Sequence, residues 1–104
     1  PPRSTLFPYT TLFRSNVTFF KMNLLELNRI RLRDPYHIVF CRNVLYYFEI
    51  PVREKVVKDI SELMVNSGYL FVGQTEFISE YSIPFSQSRE GDVVFYQKKS
   101  KSFF

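Results

Sequence analysis

Two short polar clusters in this sequence follow directly on apolar runs, and chemistry would sit there. Tyr36–Cys41 (YHIVFC) gives way to Arg42-Asn43, with Tyr46-Tyr47-Phe48 close behind, and Tyr69–Gly73 (YLFVG) gives way to Gln74-Thr75-Glu76. In open α/β sheets, ligands bind beyond the carboxyl ends of the strands, so both clusters are candidates by position. The competing reading is local: Asn43 and Thr75 satisfy loop backbone groups, and Arg42 is a surface charge. The sequence shows no metal-ligand spacing and no Cys/His or Ser/His/Asp arrangement. Its three glycines, Gly68, Gly73 and Gly91, do not make a phosphate-cradling loop. Cys41 reads as a small buried hydrophobe rather than a nucleophile, and His37, at the start of a run with no visible partner, as structural. Position alone does not name a reaction.

The elements that would carry these clusters are regular from Asn16 onward. Val17–Lys21 (VTFFK) suits a strand end, and Asn23–Arg33 a loop with a helical turn. Asp34-Pro35 signals a turn, because the residue before proline is pushed out of the helical region. The unbroken apolar character of Tyr36–Cys41 suits a strand buried on both faces, as in a parallel sheet. Pro51 opens the clearest helix. Val52, Val56, Ile60, Leu63 and Met64 form its apolar stripe, and Asn66-Ser67-Gly68 ends it, with Gly68 suited to the left-handed position. Residues 36–73 therefore read as a βαβ unit, whose crossover should be right-handed. Beyond it, Glu76–Tyr81 suits a short helical turn and Ser82–Arg89 a loop. Asp92–Gln97 suits a final strand after a Glu90-Gly91 turn, and a basic tail follows. The expected class is α/β, a βαβ unit plus a final strand. One helix is too little to cover both faces of a parallel sheet.

Composition narrows the function classes. The 104 residues are 45% apolar and 23% charged, which argues against wholesale disorder. A single cysteine excludes an intramolecular disulfide scaffold and points to a reducing compartment. No run approaches ~18 apolar residues, so nothing is expected to insert in a membrane. The net charge of +4 comes from the ends: Arg3 and Arg14 lie in the first fifteen residues, and Lys98, Lys99 and Lys101 in the tail. The span 16–97 is left with nine bases and ten acids. A nucleic-acid-binding face would need its bases clustered within the folded body, so no nucleic-acid partner is expected. The chain starts with Pro and lacks a signal-peptide layout; it reads as a cytoplasmic piece of a longer protein.

Residues 1–15 read as an artefact. Thr5–Ser15 (TLFPYTTLFRS) is the translation of a common high-throughput sequencing adapter, matching at all eleven codons. The expected organisation is an unstructured adapter-derived 1–15, a folded 16–98 and a tail over 99–104, and residues 1–15 are set aside as a cloning scar would be.

Three strings taken together resemble the C-terminal half of CheR-type chemotaxis protein methyltransferases. They are Asn23-Leu24-Leu25, His37–Phe48 (HIVFCRNVLYYF) and Gly68–Glu76 (GYLFVGQTE). The family pattern runs NLL, then (I/V)FCRNV(L/M)xYF, an amphipathic helix, G-(Y/L)-L-F-x-G-H-S-E and a last strand, in that order. The long CRNVxxYF block makes the signal specific. The resemblance implies a fragment of a Rossmann-like class I methyltransferase sheet. It also implies S-adenosyl-L-methionine as cofactor, and glutamate side chains on the cytoplasmic helices of methyl-accepting chemotaxis receptors as acceptors, with the enzyme a monomer.

Carried over position by position, the resemblance assigns Asn23, Leu24, Arg42 and Asn43 to the cofactor and Tyr47 to the transferred methyl and the acceptor carboxylate. Thr75 and Glu76 fall at the substrate cleft. Plain alternatives stand beside these roles: Leu24 and Tyr47 as core residues, Asn23 as a helix cap, Glu76 as a cap. Gln74 replaces the usual histidine of the family's His-Ser-Glu, which weakens any role given to that position. The family's N-terminal helical domain and its glycine-containing acidic cofactor block have no counterpart here, so the 104-residue piece is expected to bind cofactor weakly or not at all. Two other readings remain, a transferase with a different acceptor and a non-catalytic interaction module using the Lys98–Lys101 tail as a contact.

Overall fold

The computed structural model describes residues 17–30, 34–78 and 84–100. Residues 1–15, 79–81 of the expected helical turn, 82–83 of the expected loop and 101–104 of the tail lie outside them. Five regular elements follow in order: strand β1 (Tyr36–Cys41), helix α1 (Ile50–Glu62), and strands β2 (Met64–Val72), β3 (Phe85–Glu90) and β4 (Val93–Lys98). The strands form one sheet in the order β1-β2-β4-β3. β1 and β2 run parallel across α1, the βαβ unit expected from the sequence, while β4 runs antiparallel to both β2 and β3. The α/β class holds.

The helix forms where a proline in its first turn has a fixed, helix-compatible φ and no N–H to leave unpaired. Val56, Val57 and Ile60 then recur on one side and are buried in a cluster with Leu70, Val72 and Tyr96 of the sheet. The helix ends earlier than its pattern suggests. It stops at Glu62, where the Leu63 N–H bonds to the carbonyls of Ile60 and Ser61, and Leu63 O accepts from Tyr36 N at 2.8 Å. Met64 belongs to β2, not to the helix. Asn66-Ser67-Gly68 lies inside that strand, where the register steps from Tyr36↔Met64 to Ile38↔Tyr69. Ser67, not Gly68, takes the left-handed conformation (φ 68°). Gly68 serves close approach instead, since a Cβ there would stand 3.0 Å from the carbonyl oxygens of His37 and Val65.

Three further expectations fail. Val17–Lys21 has no regular structure and joins no strand of the described sheet. Glu76–Ile78 is not helical; Glu76 N donates to Gly73 O at 2.9 Å and closes a turn. The polar stretch expected to be a loop contains β3, which pairs with β4 from Phe85↔Lys98 to Glu90↔Val93. The loop between them is the two-residue Gly91-Asp92, with Gly91 at φ 61° as a tight hairpin of this kind requires. Lys98, the last residue of the expected folded span, ends β4, and its Nζ donates to Ser61 O at 2.5 Å and Met64 O at 2.9 Å. A cation is thereby placed on carbonyls at the end of α1, where the helix dipole favours it.

The sheet face away from α1 carries Phe40, Phe71 and Phe95, with successive ring centroids 5.0 and 5.6 Å apart. Phe40 is 67% exposed and Ile38 54%, so β1 is not buried on both faces as its apolar run suggests; the single helix covers only one. On the covered face the Tyr96 hydroxyl accepts from Ile78 N at 3.1 Å, within the core. Tyr96→Phe removes that acceptor and is expected to cost about 1–3 kcal/mol, read as a lowered urea midpoint with unchanged slope. An unmoved midpoint would show that the bond contributes nothing.

Candidate functional site at the strand tips

Parallel pairing puts the carboxyl ends of β1 and β2 on the same side. Their last paired residues are Cys41 and Val72, so Arg42 and Gly73 leave the sheet next to one another. Asn43 follows in the left-handed conformation (φ 60°), which asparagine tolerates better than most residues. The chain then turns through a short 3-10 segment, Leu45–Tyr47, whose preceding residue Val44 offers no capping side chain.

The cap comes from the other tip. Glu76 is 7% exposed, and its carboxylate reaches across from the β2 turn. Oε1 accepts from Asn43 N at 2.7 Å and from Gly73 N at 2.7 Å. Oε2 accepts from Leu45 N at 2.8 Å and Tyr46 N at 3.3 Å. Burial pushes the carboxyl pKa up, but the four backbone N–H donors outweigh it and hold it below the usual carboxylate range. Glu76 is therefore an anion at neutral pH. Burial, reinforced by that charge, pushes the neighbouring Cys41 thiol up to about 11, so it stays protonated and unreactive.

Gly73 is required at the joint. An added Cβ would land on Asn43 Oδ1 and stand 2.5 Å from Glu76 Oε1. From α1, Arg53 donates through Nε to Phe48 O at 2.5 Å and through a terminal nitrogen to Tyr46 O at 3.3 Å, tying down the far end of the 3-10 turn. Tyr46 and Tyr47 lie with ring centroids 4.4 Å apart, and the Tyr46 hydroxyl donates to that of Tyr47 at 3.2 Å.

Of the residues singled out from the sequence, Arg42, Asn43, Thr75 and Glu76 come together at one rim. Arg42 lines a hollow of about 290 Å³ with Gly73, Gln74, Glu76, Phe77 and Asp92. Thr75 and Glu76 line a second of about 180 Å³ with Tyr46 and Arg53. Leu24 lines a third, almost wholly apolar, with Cys41, the residue before Arg42. Asn23 acts as a cap, its Oδ1 accepting from Leu25 N at 2.9 Å. Tyr47 is 73% exposed and, like Asn43, lines none of these three hollows. Sequence reasoning noted Tyr46 only as part of the Tyr46-Tyr47-Phe48 cluster and did not single out Arg53. Gly73 carried a usable signal: a glycine at the end of an apolar strand, ahead of a polar cluster.

A family model described as "CheR methyltransferase, SAM binding domain" matches residues 6–94, a span beginning inside the stretch read as adapter-derived. The chain belongs to the CheR methyltransferase family. Among curated relatives, the chemotaxis protein methyltransferase of Klebsiella aerogenes is 35% identical over 71 residues, covering 68% of this chain and 24% of that protein. The chemotaxis protein methyltransferase of Salmonella typhimurium is 33% identical over 86 residues, 83% of this chain and 29% of that protein. A "Probable biofilm formation methyltransferase WspC" of Pseudomonas aeruginosa is 38% identical over 63 residues, 61% of this chain and 15% of that protein. The chain thus spans less than a third of the length of each.

The cofactor of a CheR SAM-binding domain is S-adenosylmethionine, and the rim fits part of it. The hollow of about 290 Å³ that Arg42 lines lies at this rim. Arg42 is exposed and makes no salt bridge among the described residues. The exposed Asn43 beside it adds a carboxamide. A guanidinium and a carboxamide suit the carboxylate and polar groups of the methionine portion.

Proposed function

We propose that the enzyme carrying this segment transfers a methyl group from S-adenosylmethionine to glutamate side chains on the cytoplasmic helices of chemoreceptors. The observation carrying the reading is the rim itself. In a chain of this family, Arg42-Asn43 and Gly73–Glu76 leave adjacent parallel strands side by side and are joined by one buried carboxylate. The two relatives named as chemotaxis protein methyltransferases support the chemotactic setting. The enzyme is read as cytoplasmic and monomeric; no helix among the described residues is long and apolar enough to cross a membrane.

When bound, the cofactor supplies an electrophilic methyl on a sulfonium. An acceptor carboxylate oxygen would take that methyl, with the carbon–sulfur electron pair left on the departing thioether. The acceptor is ionised at neutral pH, so no general base is needed. Catalysis then rests on alignment, which can supply ~7–11 kcal/mol. Arg42 and Asn43 grip the methionine portion, with Asn23 and Leu24 on the β1 side. Tyr47 orients the acceptor from the exposed turn, and Thr75 faces the cleft. In the enzyme assembled from the complete gene, Asn43→Ala is expected to weaken S-adenosylhomocysteine binding about tenfold in calorimetric titration. Tyr47→Phe is expected to slow radiolabelled methyl incorporation into receptor fragments more than it weakens binding. Unchanged titration for Asn43→Ala would remove that residue from the site.

The likeness to WspC favours a second reading, the same transfer to another acceptor. Genomic DNA upstream of Asn16 separates the two. A glycine-acidic cofactor block with a helical receptor-recognising domain supports the first reading, and the block without that domain supports the second. The same DNA decides whether residues 1–15 are natural.

A further inference from the structure

We propose that Glu76 is a positioning residue: its buried carboxylate fixes the left-handed backbone of Asn43 and thereby sets how the Arg42-Asn43 tip meets the cofactor. The inference rests on the functional reading above. Asparagine visits the left-handed region at a cost that the surroundings must offset. The offset here is the bond from Asn43 N to Oε1, shared with Gly73 N, at 2.7 Å each. Oε2 meanwhile holds the first N–H groups of the 3-10 turn that carries Tyr46 and Tyr47. One side chain thus welds both strand tips and the tyrosine turn into a single body across 30 to 33 residues of sequence. With both oxygens engaged by backbone donors and 7% of the residue exposed, Glu76 supports the cleft from behind. Charge-assisted bonds of this kind are about twice as strong as neutral ones, so glutamine is a poor substitute: its NH₂ would face N–H donors.

The Cys41 thiol of β1 and the Tyr46 hydroxyl of the turn sense the Glu76 charge, and Arg42, Arg53 of α1 and Asp92 of the β3–β4 hairpin line the hollows that Glu76 also lines. Of these, only Asp92 carries a second carboxyl, and its carboxyl carbon is followed separately from that of Glu76. The first arm of the test follows the 104-residue chain by NMR as pH falls. The amides of Asn43, Leu45, Tyr46 and Gly73 should shift together, with the midpoint of the Glu76 carboxyl carbon. Amides that ignore that midpoint, or follow Asp92, overturn the clamp. This arm needs no variant, so it decides even if Glu76→Gln fails to fold.

The second arm titrates the enzyme assembled from the complete gene with S-adenosylhomocysteine and reads affinity by calorimetry. Glu76→Gln and Asn43→Ala should each weaken binding about tenfold. The double variant should be no weaker than the worse single, because both act through one tip. Losses that multiply overturn the coupling. A chain whose four amides follow Glu76, in an assembled wild-type enzyme that shows no binding of S-adenosylhomocysteine, refutes the functional reading and leaves the clamp as architecture alone.

Discussion

Gly73→Ala is expected to destabilise the chain by about 2–4 kcal/mol and to dismantle the rim. The new methyl would run into Asn43 Oδ1 and stand 2.5 Å from Glu76 Oε1 and 3.1 Å from Asn43 N. The first two belong to side chains, but Glu76 is held by four N–H donors and Asn43 N is main chain. Relief therefore means breaking bonds to a buried carboxylate, each worth roughly 1.5–3 kcal/mol, or moving β1 relative to β2. Chemical denaturation followed by far-UV circular dichroism measures the loss. NMR should show Asn43, Leu45 and Tyr46 displaced while β3 and β4 keep their shifts. A variant as stable as the wild type, with those amides unmoved, would mean that the tips are not packed as described.

Leu70→Ala is expected to cost about 2–5 kcal/mol. Leu70 is fully buried, pairs with Val39 on one side and Tyr96 on the other, and lies in the core cluster with Val56, Val57 and Ile60. Truncation opens a cavity beneath the one helix, in a sheet whose other face already exposes Phe40 and Ile38. A chain this small has little stability in reserve. The expected result is a shift of the unfolding midpoint large enough to populate unfolded chain at room temperature. A loss below about 1 kcal/mol would mean that α1 does not pack on β2.

What the sequence made legible follows from how local each signal was. β1 and the end of β2 announced themselves as short apolar runs, and their parallel pairing followed from the helix between them, whose stripe at Val56 and Ile60 is buried as expected. β3 was illegible because FSQSRE buries only Phe85 and takes its hydrogen bonds from β4 as an edge strand. The early helix stop was hidden because Leu63 and Met64 continue the apolar spacing although the chain has already turned into β2. At the site, position after a strand was enough to single out Arg42, Asn43, Thr75 and Glu76. It did not reveal what Glu76 binds: four backbone N–H groups leave no mark in the side-chain sequence, and three of them lie 30 or more residues upstream. Arg53 was passed over for a similar reason, since its acceptors are carbonyls of a turn that propensity does not foretell.

The central claim is that the adjacent tips of β1 and β2 form the part of a methyl-donor site that this segment contributes. The most direct measurement is a map of backbone amide shifts as S-adenosylhomocysteine is added to the enzyme assembled from the complete gene. The account predicts progressive shifts concentrated at Arg42, Asn43 and the Gly73–Glu76 turn. Shifts confined to the Phe40–Phe71–Phe95 face, or none anywhere, would contradict it.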